Sequence, residues 1–236
     1  MENQTNCQPS YCCPSNQQIF TMYENAAELH NESLMYIATL PNYLDLDFKQ
    51  AFVASTEFCK NAFPTINVES IISFDDAEMY FNEIVKSSVD DNYTDFANLL
   101  HAQGMLTVNQ TQYYKLIINT ILSKQNEKPI LLVAAMKGLQ NSLLSRNDIP
   151  TTELPIMYAM STASVAVVQF WATAFEDKRN PWNDAVSGGA TFRWFGKALR
   201  DLGGFIVGAL VGTAIGGPAV GAAGGTLVGE AASSSK

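Results

Sequence analysis

From Leu202 to Gly229 the chain carries no charged residue, and glycine falls at 204, 208, 212 and 216 and again at 217, 221, 225 and 229. A residue every four places returns to nearly the same side of an α-helix, so each series draws a side-chain-free stripe. Such stripes let two helix backbones approach closely. Pro218 cannot continue a preceding helix, yet it suits the first turn of a new one and pushes Gly217 away from helical dihedrals. The pattern predicts two legs, residues 202–216 and 218–230, joined by a tight turn into an αα-hairpin. Its helix-packing residues are Gly204, Gly208, Gly212, Gly216, Gly217, Gly221, Gly225 and Gly229.

Energetics limit where such a hairpin can exist. Each interior glycine costs a helix about 1 kcal/mol relative to alanine, so eight cost roughly 8 kcal/mol. In isolation the hairpin is not expected to be helical in water; it needs a membrane, another copy or the body of its own chain. Legs of about 13 residues reach roughly 20 Å, short of the ~30 Å hydrocarbon core. Nine large apolar residues, at about −0.3 to −0.6 kcal/mol each, offer only about −3 to −5 kcal/mol toward insertion. The stretch reads as built for helix association more than for strong anchoring.

The 236 residues suffice for one large core, or one domain with an appendage. A net charge of −9 argues against a nucleic-acid partner, which needs basic clusters for phosphates. From Ala190 onward Arg193, Lys197, Arg200 and Lys236 against Asp201 and Glu230 give +2, leaving −11 for the preceding part. An acidic body thus precedes a mildly basic apolar segment, and the two attract. The polar start Met1–Asn6 lacks the basic and apolar regions of a secretory signal. The expectation is a cytoplasmic protein or one exported by a non-classical route, with membrane association left open. Cys7, Cys12, Cys13 and Cys59 match no zinc spacing and read as reduced thiols.

Residues 1–15 read as a flexible tail. Helical periodicity then predicts segments at about 17–40, 44–62 and 68–87, the last able to restart with a cap at Ser73. Further helices follow at 92–103, from the capping box Thr107/Gln110 to Ser123, from Pro129 to Ser145, and from Pro155 to Phe175. No Asn-Gly type turn separates alternating apolar runs, so strands have little support. The fold class expected is all-α: a bundle of about seven helices over 16–180, a linker at 181–190, and an amphipathic helix plus glycine hairpin over 191–236. The charge-free segment Leu154–Phe175 is long enough to span a bilayer, but its Ser, Thr and Gln content favours the central helix of a bundle.

Catalytic signatures are missing. There is no G-x-G-x-x-G, P-loop, H-E-x-x-H or G-x-S-x-G. His30 and His101 lack a Glu three residues before them and read as surface or partly buried helix residues. Asp45, Asp47, Glu57, Asp75, Asp76 and Glu78 suit helix N-termini and solvated faces. No enzyme, cofactor, metal or small-molecule substrate is expected.

After Ser187-Gly188-Gly189, Phe192, Phe195, Leu199 and Leu202 share one helical face, opposite Arg193, Lys197 and Arg200. With Trp194 alongside, residues 192, 193, 194, 195, 197 and 200 read as an interfacial amphipathic helix, or equally as a surface helix docked on the bundle.

The double glycine followed by a small cationic segment with G-x-x-x-G repeats resembles the precursors of two-peptide (class IIb) bacteriocins, and more broadly the glycine-zipper hairpins. In the bacteriocin family a leader ending in two glycines is removed during export, and the released peptide inserts into membranes as helices packed through G-x-x-x-G contacts. The resemblance implies a cut after Gly188-Gly189 and a helix contact at Gly204, Gly208, Gly212 and Gly216. The family's leader is short, whereas here residues 1–189 precede the cut. Two functions remain open: a membrane-active or self-associating glycine-zipper protein shielded by its acidic body, or a soluble interaction or structural protein whose hairpin packs in its own bundle.

Overall fold

The computed structural model describes residues 14–89, 92–187 and 192–235, the side chains of residues 88, 89, 192 and 193 apart. The expected N-terminal tail with Cys7, Cys12 and Cys13, the Gly188-Gly189 cleavage point and the side chains of Phe192 and Arg193 lie outside the described residues. Within them the fold is all-helical.

Local signals set most element starts. Helix α1 (Asn16–Ile37) begins at a capping box of Ser15 with Gln18, α2 (Phe48–Ala62) at one of Asp47 with Gln50, and α5 (Val108–Ser123) at Thr107 with Gln110. Ser73 accepts from Asp76 N at 3.1 Å and opens α3 (Phe74–Val89). Upstream, Val68–Ser70 forms only a 3₁₀ turn, as does Tyr43–Asp45 before α2, so both helices start later than periodicity alone suggests. Then come α4 (Tyr93–Ala102), α6 (Pro129–Leu144) with proline in its first turn, and α7 (Leu154–Glu176). A five-residue helix, α8 (Asn183–Ser187), occupies much of the expected linker; Trp182 just before it is 1% exposed and donates to Leu34 O at 2.9 Å.

The C-terminal region differs from the expectation in one important way. The amphipathic segment and the first glycine leg are a single helix, α9 (Phe192–Gly216), 25 residues long. At the 1.5 Å rise it reaches about 37 Å, nearly twice the expected leg. Gly217 (φ 79°, ψ −169°) then makes the turn, a conformation open to glycine alone, and α10 (Pro218–Ser234) follows.

Helices α9 and α10 pack along their length and sit at the centre of the fold: α10 against α1 and α2, α9 against α7 and α3. Helix α6 lies on α7, and α4 and α5 close the remaining flank. Phe205, Ile206, Val207, Leu210, Leu227 and Val228 are buried. Full burial of each such side chain contributes about 1.5–3 kcal/mol, the source that offsets the poor helix propensity of the glycines. Helix α7, buried on nearly every face from Leu154 to Ala174, is a core helix of the bundle.

Candidate functional site: a buried polar cluster at the open end of the glycine helices

The glycine stripes face one another. A Cβ at Gly204 would stand 2.6 Å from Val228 O, one at Gly212 would overlap the Val220 carbonyl, and one at Gly225 would meet Phe205 Cε1 at 2.8 Å. Real Cβ atoms do not approach so closely, so these helices touch backbone to backbone only because side chains are missing. Gly221 serves a different contact, against Thr213 and the Tyr23 hydroxyl, and Gly229 lies against the Phe205 backbone. Gly216 meets Val220 of the next helix, while Gly217 only turns the chain.

Helix α1 runs along this pair and ties to it by polar contacts at intervals. Its buried stripe is Tyr23, Ala26, Ala27, His30, Ser33, Leu34 and Ile37, the spacing of one helical face. Near the turn, Tyr23 and Thr213 hydroxyls bond at 2.7 Å, and burial pushes the Tyr23 phenol up to about 12. Midway, Thr226 shares its hydroxyl proton between Ala26 O and Ala222 O, each at 3.1 Å. At the open end His30 meets Asp201 of α9.

That meeting is the centre of a buried cluster. His30 and Asp201 are both 0% exposed, with Nε2 and Oδ1 2.5 Å apart. The contact falls outside hydrogen-bond geometry, and Nδ1 makes no hydrogen bond among the described residues. The His30 ring sits edge-on to Phe205, 5.9 Å between centroids. The other carboxylate oxygen of Asp201 accepts the Trp171 indole N–H from α7 at 2.7 Å. One acid thus joins α1, α7 and α9.

Glu230 of α10 lies on the other side, fully buried, with neither carboxyl oxygen hydrogen-bonded among the described residues. The Ser55 hydroxyl of α2 lies nearby but is committed to Ala51 O at 2.8 Å. Burial pushes the Glu230 carboxyl well above the usual carboxylate range; Ser55 offsets part of this and the Asp201 charge adds to it. Cys59, also on α2 and 0% exposed, has its thiol pushed up by burial and by Glu230.

Two of the basic residues expected at a membrane interface, Lys197 and Arg200, are half-buried against the bundle. Lys197 Nζ donates to Ser233 O at 2.7 Å and Ser235 O at 2.9 Å, closing the C-terminus of α10. Burial, with Arg200 beside it, lowers its ammonium to about 7 despite the pull of Asp201. Arg200 lies in a crevice with Ile84, Tyr93, Phe96 and Tyr114, where burial lowers its guanidinium. Trp194 is 1% exposed, its ring 3.9 Å from Phe195 and 6.3 Å from Phe175. In this arrangement Trp194 and Phe195 are core residues of the bundle, and Lys197 and Arg200 are half-buried beside them.

Sequence reasoning placed His30 at a helix surface or partly buried; the structure puts it in the core. It also left Asp201 and Glu230 without a role. A signal was present: these two acids bracket the charge-free stretch 202–229. Among the described residues no group of three His, Cys, Asp or Glu forms a metal-binding array. A cleft of about 470 Å³ between α1, α6 and α7 is lined by Glu24, Glu28, Asn31, Lys137 and Gln169 and lies apart from the cluster. The cluster joins α1, α7, α9 and α10 through buried polar side chains.

Comparison with protein-family models, curated proteins and solved structures returns no match.

Proposed function

We propose that the protein is a membrane-active helical bundle holding a glycine-zipper hairpin, α9–α10, in a shielded state. The observation that carries this reading is the pairing of the stripes: Gly204, Gly208 and Gly212 are packed against the α10 backbone, so the hairpin is zipped before any membrane is met. Self-association through the same stripes would require the pair to open. Entry into a bilayer as a closed pair would not, which favours a membrane over a second copy as the partner.

Length supports the same reading. Trp194–Gly216 is long and apolar enough to cross a bilayer, as is Leu154–Glu176, though both are mostly buried and a core helix passes the same test. Ile215, 60% exposed beside the turn, offers a first apolar contact. Cleavage after Gly189, as the bacteriocin resemblance suggests, is one route to release.

A second reading has its own support. The Tyr23–Thr213, Thr226–Ala26 and His30–Asp201 contacts tie the hairpin to α1 as a structural core would be tied. Under either reading, removing the hairpin strips α1, α2, α3 and α7 of their apolar partner, so the solubility of residues 1–189 does not separate the two.

Dye release from liposomes does. The peptide 190–236 is expected to release dye, and the intact chain at neutral pH to release little. If the peptide is inert at every lipid ratio, the membrane reading fails and the hairpin is part of the fold alone.

A further inference from the structure

Two sites outside the glycine contacts carry little. The His30–Asp201–Glu230 cluster is closed to solvent and admits no ligand. The apolar groove beside Phe52, Val53 and Ile72 sets Lys49 and Lys60 against Glu57 and Glu69, so its charge selects no partner.

The furrow over α7 is different. Helices α1 and α6 both pack on α7, and between them lies the cleft of about 470 Å³. A second hollow of about 200 Å³ continues it toward Ile130 and Glu176, sharing Lys137, Gln169 and Thr173 with the first. From Thr162 to Glu176 the α7 floor runs about 21 Å, or roughly four helical turns. Alpha-helix α7 is otherwise the buried core helix, yet Gln169, Thr173 and Glu176 are exposed along this strip. Its other floor residues, Val165, Ala166 and Ala172, are short, which leaves room for a rod of helical width.

Charge selects the occupant. Glu24 and Glu28 stand one turn apart on the α1 rim and Glu176 lies at the far end, against Lys137 alone on the α6 rim. None of these four forms an ion pair among the described residues. Like charges four residues apart on a helix repel, and a cation laid between them relieves the repulsion. At the same end as Glu176, Ile130 is 64% exposed and offers an apolar anchor.

We propose that this furrow docks a basic amphipathic helix of a partner protein. Its apolar face rests on Val165, Ala166 and Ala172 and meets Ile130, while its basic edge runs along Glu24 and Glu28. Lys137 on the opposite rim disfavours a second basic edge, so the partner's cations lie on one side and set its direction in the furrow. A second copy of this chain brings the same net charge of −9, and an anionic bilayer is repelled by the same acids. The inference goes beyond the membrane reading and does not depend on it, because neither α9 nor α10 lines the furrow.

The test titrates the intact chain into a fluorescein-labelled 16-residue peptide with leucine and alanine on one helical face and lysine along one edge, followed by anisotropy. Binding is expected, with a gain of peptide helicity by circular dichroism, and the same peptide with glutamate for lysine is expected not to bind. Glu24→Lys/Glu28→Lys should weaken binding at least about tenfold, whereas Asp75→Lys/Glu78→Lys, the same charge change on α3, should stay within about twofold. Thr173→Trp fills the furrow without changing charge and should weaken binding at least about tenfold. Thermal unfolding checks that each variant is folded. Absence of binding, equal loss in the α3 variant, or full binding to Thr173→Trp would overturn the proposal. Displacement of the peptide by an equal concentration of cadaverine would also overturn it, by showing a site for small amines.

Discussion

Gly208 and Gly224 face each other across the two C-terminal helices, each filling the place of the other's missing side chain. A Cβ on Gly208 would overlap the Gly224 carbonyl and lie 2.9 Å from Gly225 N, and a Cβ on Gly224 would overlap the Gly208 carbonyl. Backbone cannot swing aside as a side chain can, so Gly208→Ala must part the helices. It is expected to destabilise the fold by about 3 kcal/mol or more. Gly138, inside α6 with nothing near its absent Cβ, gives the control: Gly138→Ala should stabilise by about 0.5–1 kcal/mol. Urea denaturation of the two variants checks both signs.

Glu230 predicts a pH dependence opposite to that of a salt-bridged carboxylate. Its folded carboxyl is held above the usual range by burial, so between the ordinary carboxylate range and that raised value the folded state binds more protons. Stability from this group is therefore present in acid and lost as pH rises. Glu230→Gln should match the wild type near pH 4 and become the more stable protein at pH 7–8. Denaturation across pH 4–8 reads the difference; a wild type more stable at pH 8 would contradict it.

Lys197 acts in the next window. Its ammonium falls from the ordinary 10.5 to about 7 through burial and Arg200, so between those values the unfolded chain holds the extra proton. Stability then rises with pH from about 7 to 10.5. Lys197→Met removes this rise and also the donor to Ser233 O and Ser235 O. The gap between wild type and variant should widen in favour of the wild type as pH climbs, measured by thermal unfolding at pH 7, 8.5 and 10.

Cys59 offers a probe of the closed state. It is 0% exposed and its thiol is pushed up by burial and by Glu230, which disfavours the reactive thiolate. In a chain with Cys7, Cys12 and Cys13 changed to Ser, alkylation of Cys59 at pH 7.5 should run at least about a hundredfold slower than in urea. Comparable rates would mean that α2 and α10 part readily without any trigger.

Much of the architecture was legible before any coordinates. Helix starts at Thr107, Pro129 and Pro218 follow from caps and prolines, whose physics lies within one turn of chain. The all-α class follows from periodicity without turn signals, and the break at Gly217-Pro218 from backbone sterics. The charge-free, glycine-striped character of residues 202–229 required a covered environment, whatever covered it.

Other features depended on chain segments far apart in sequence, and here local pattern is silent. Fusion of the amphipathic segment with the first glycine leg makes α9 one long helix, and of the two placements open for Trp194 and Phe195 the docked one holds, because α7 lies against that helix. His30 looked like a surface or partly buried helix residue, since its neighbours Glu28 and Asn31 are polar. Only the docking of α1 on α9 and α10 places its ring against Asp201 and Phe205. Local pattern alone already called for two glycine-striped helices folded into a hairpin that needs a cover. That the cover is the chain's own bundle emerged only from the fold, because burial is set by where helices distant in sequence meet.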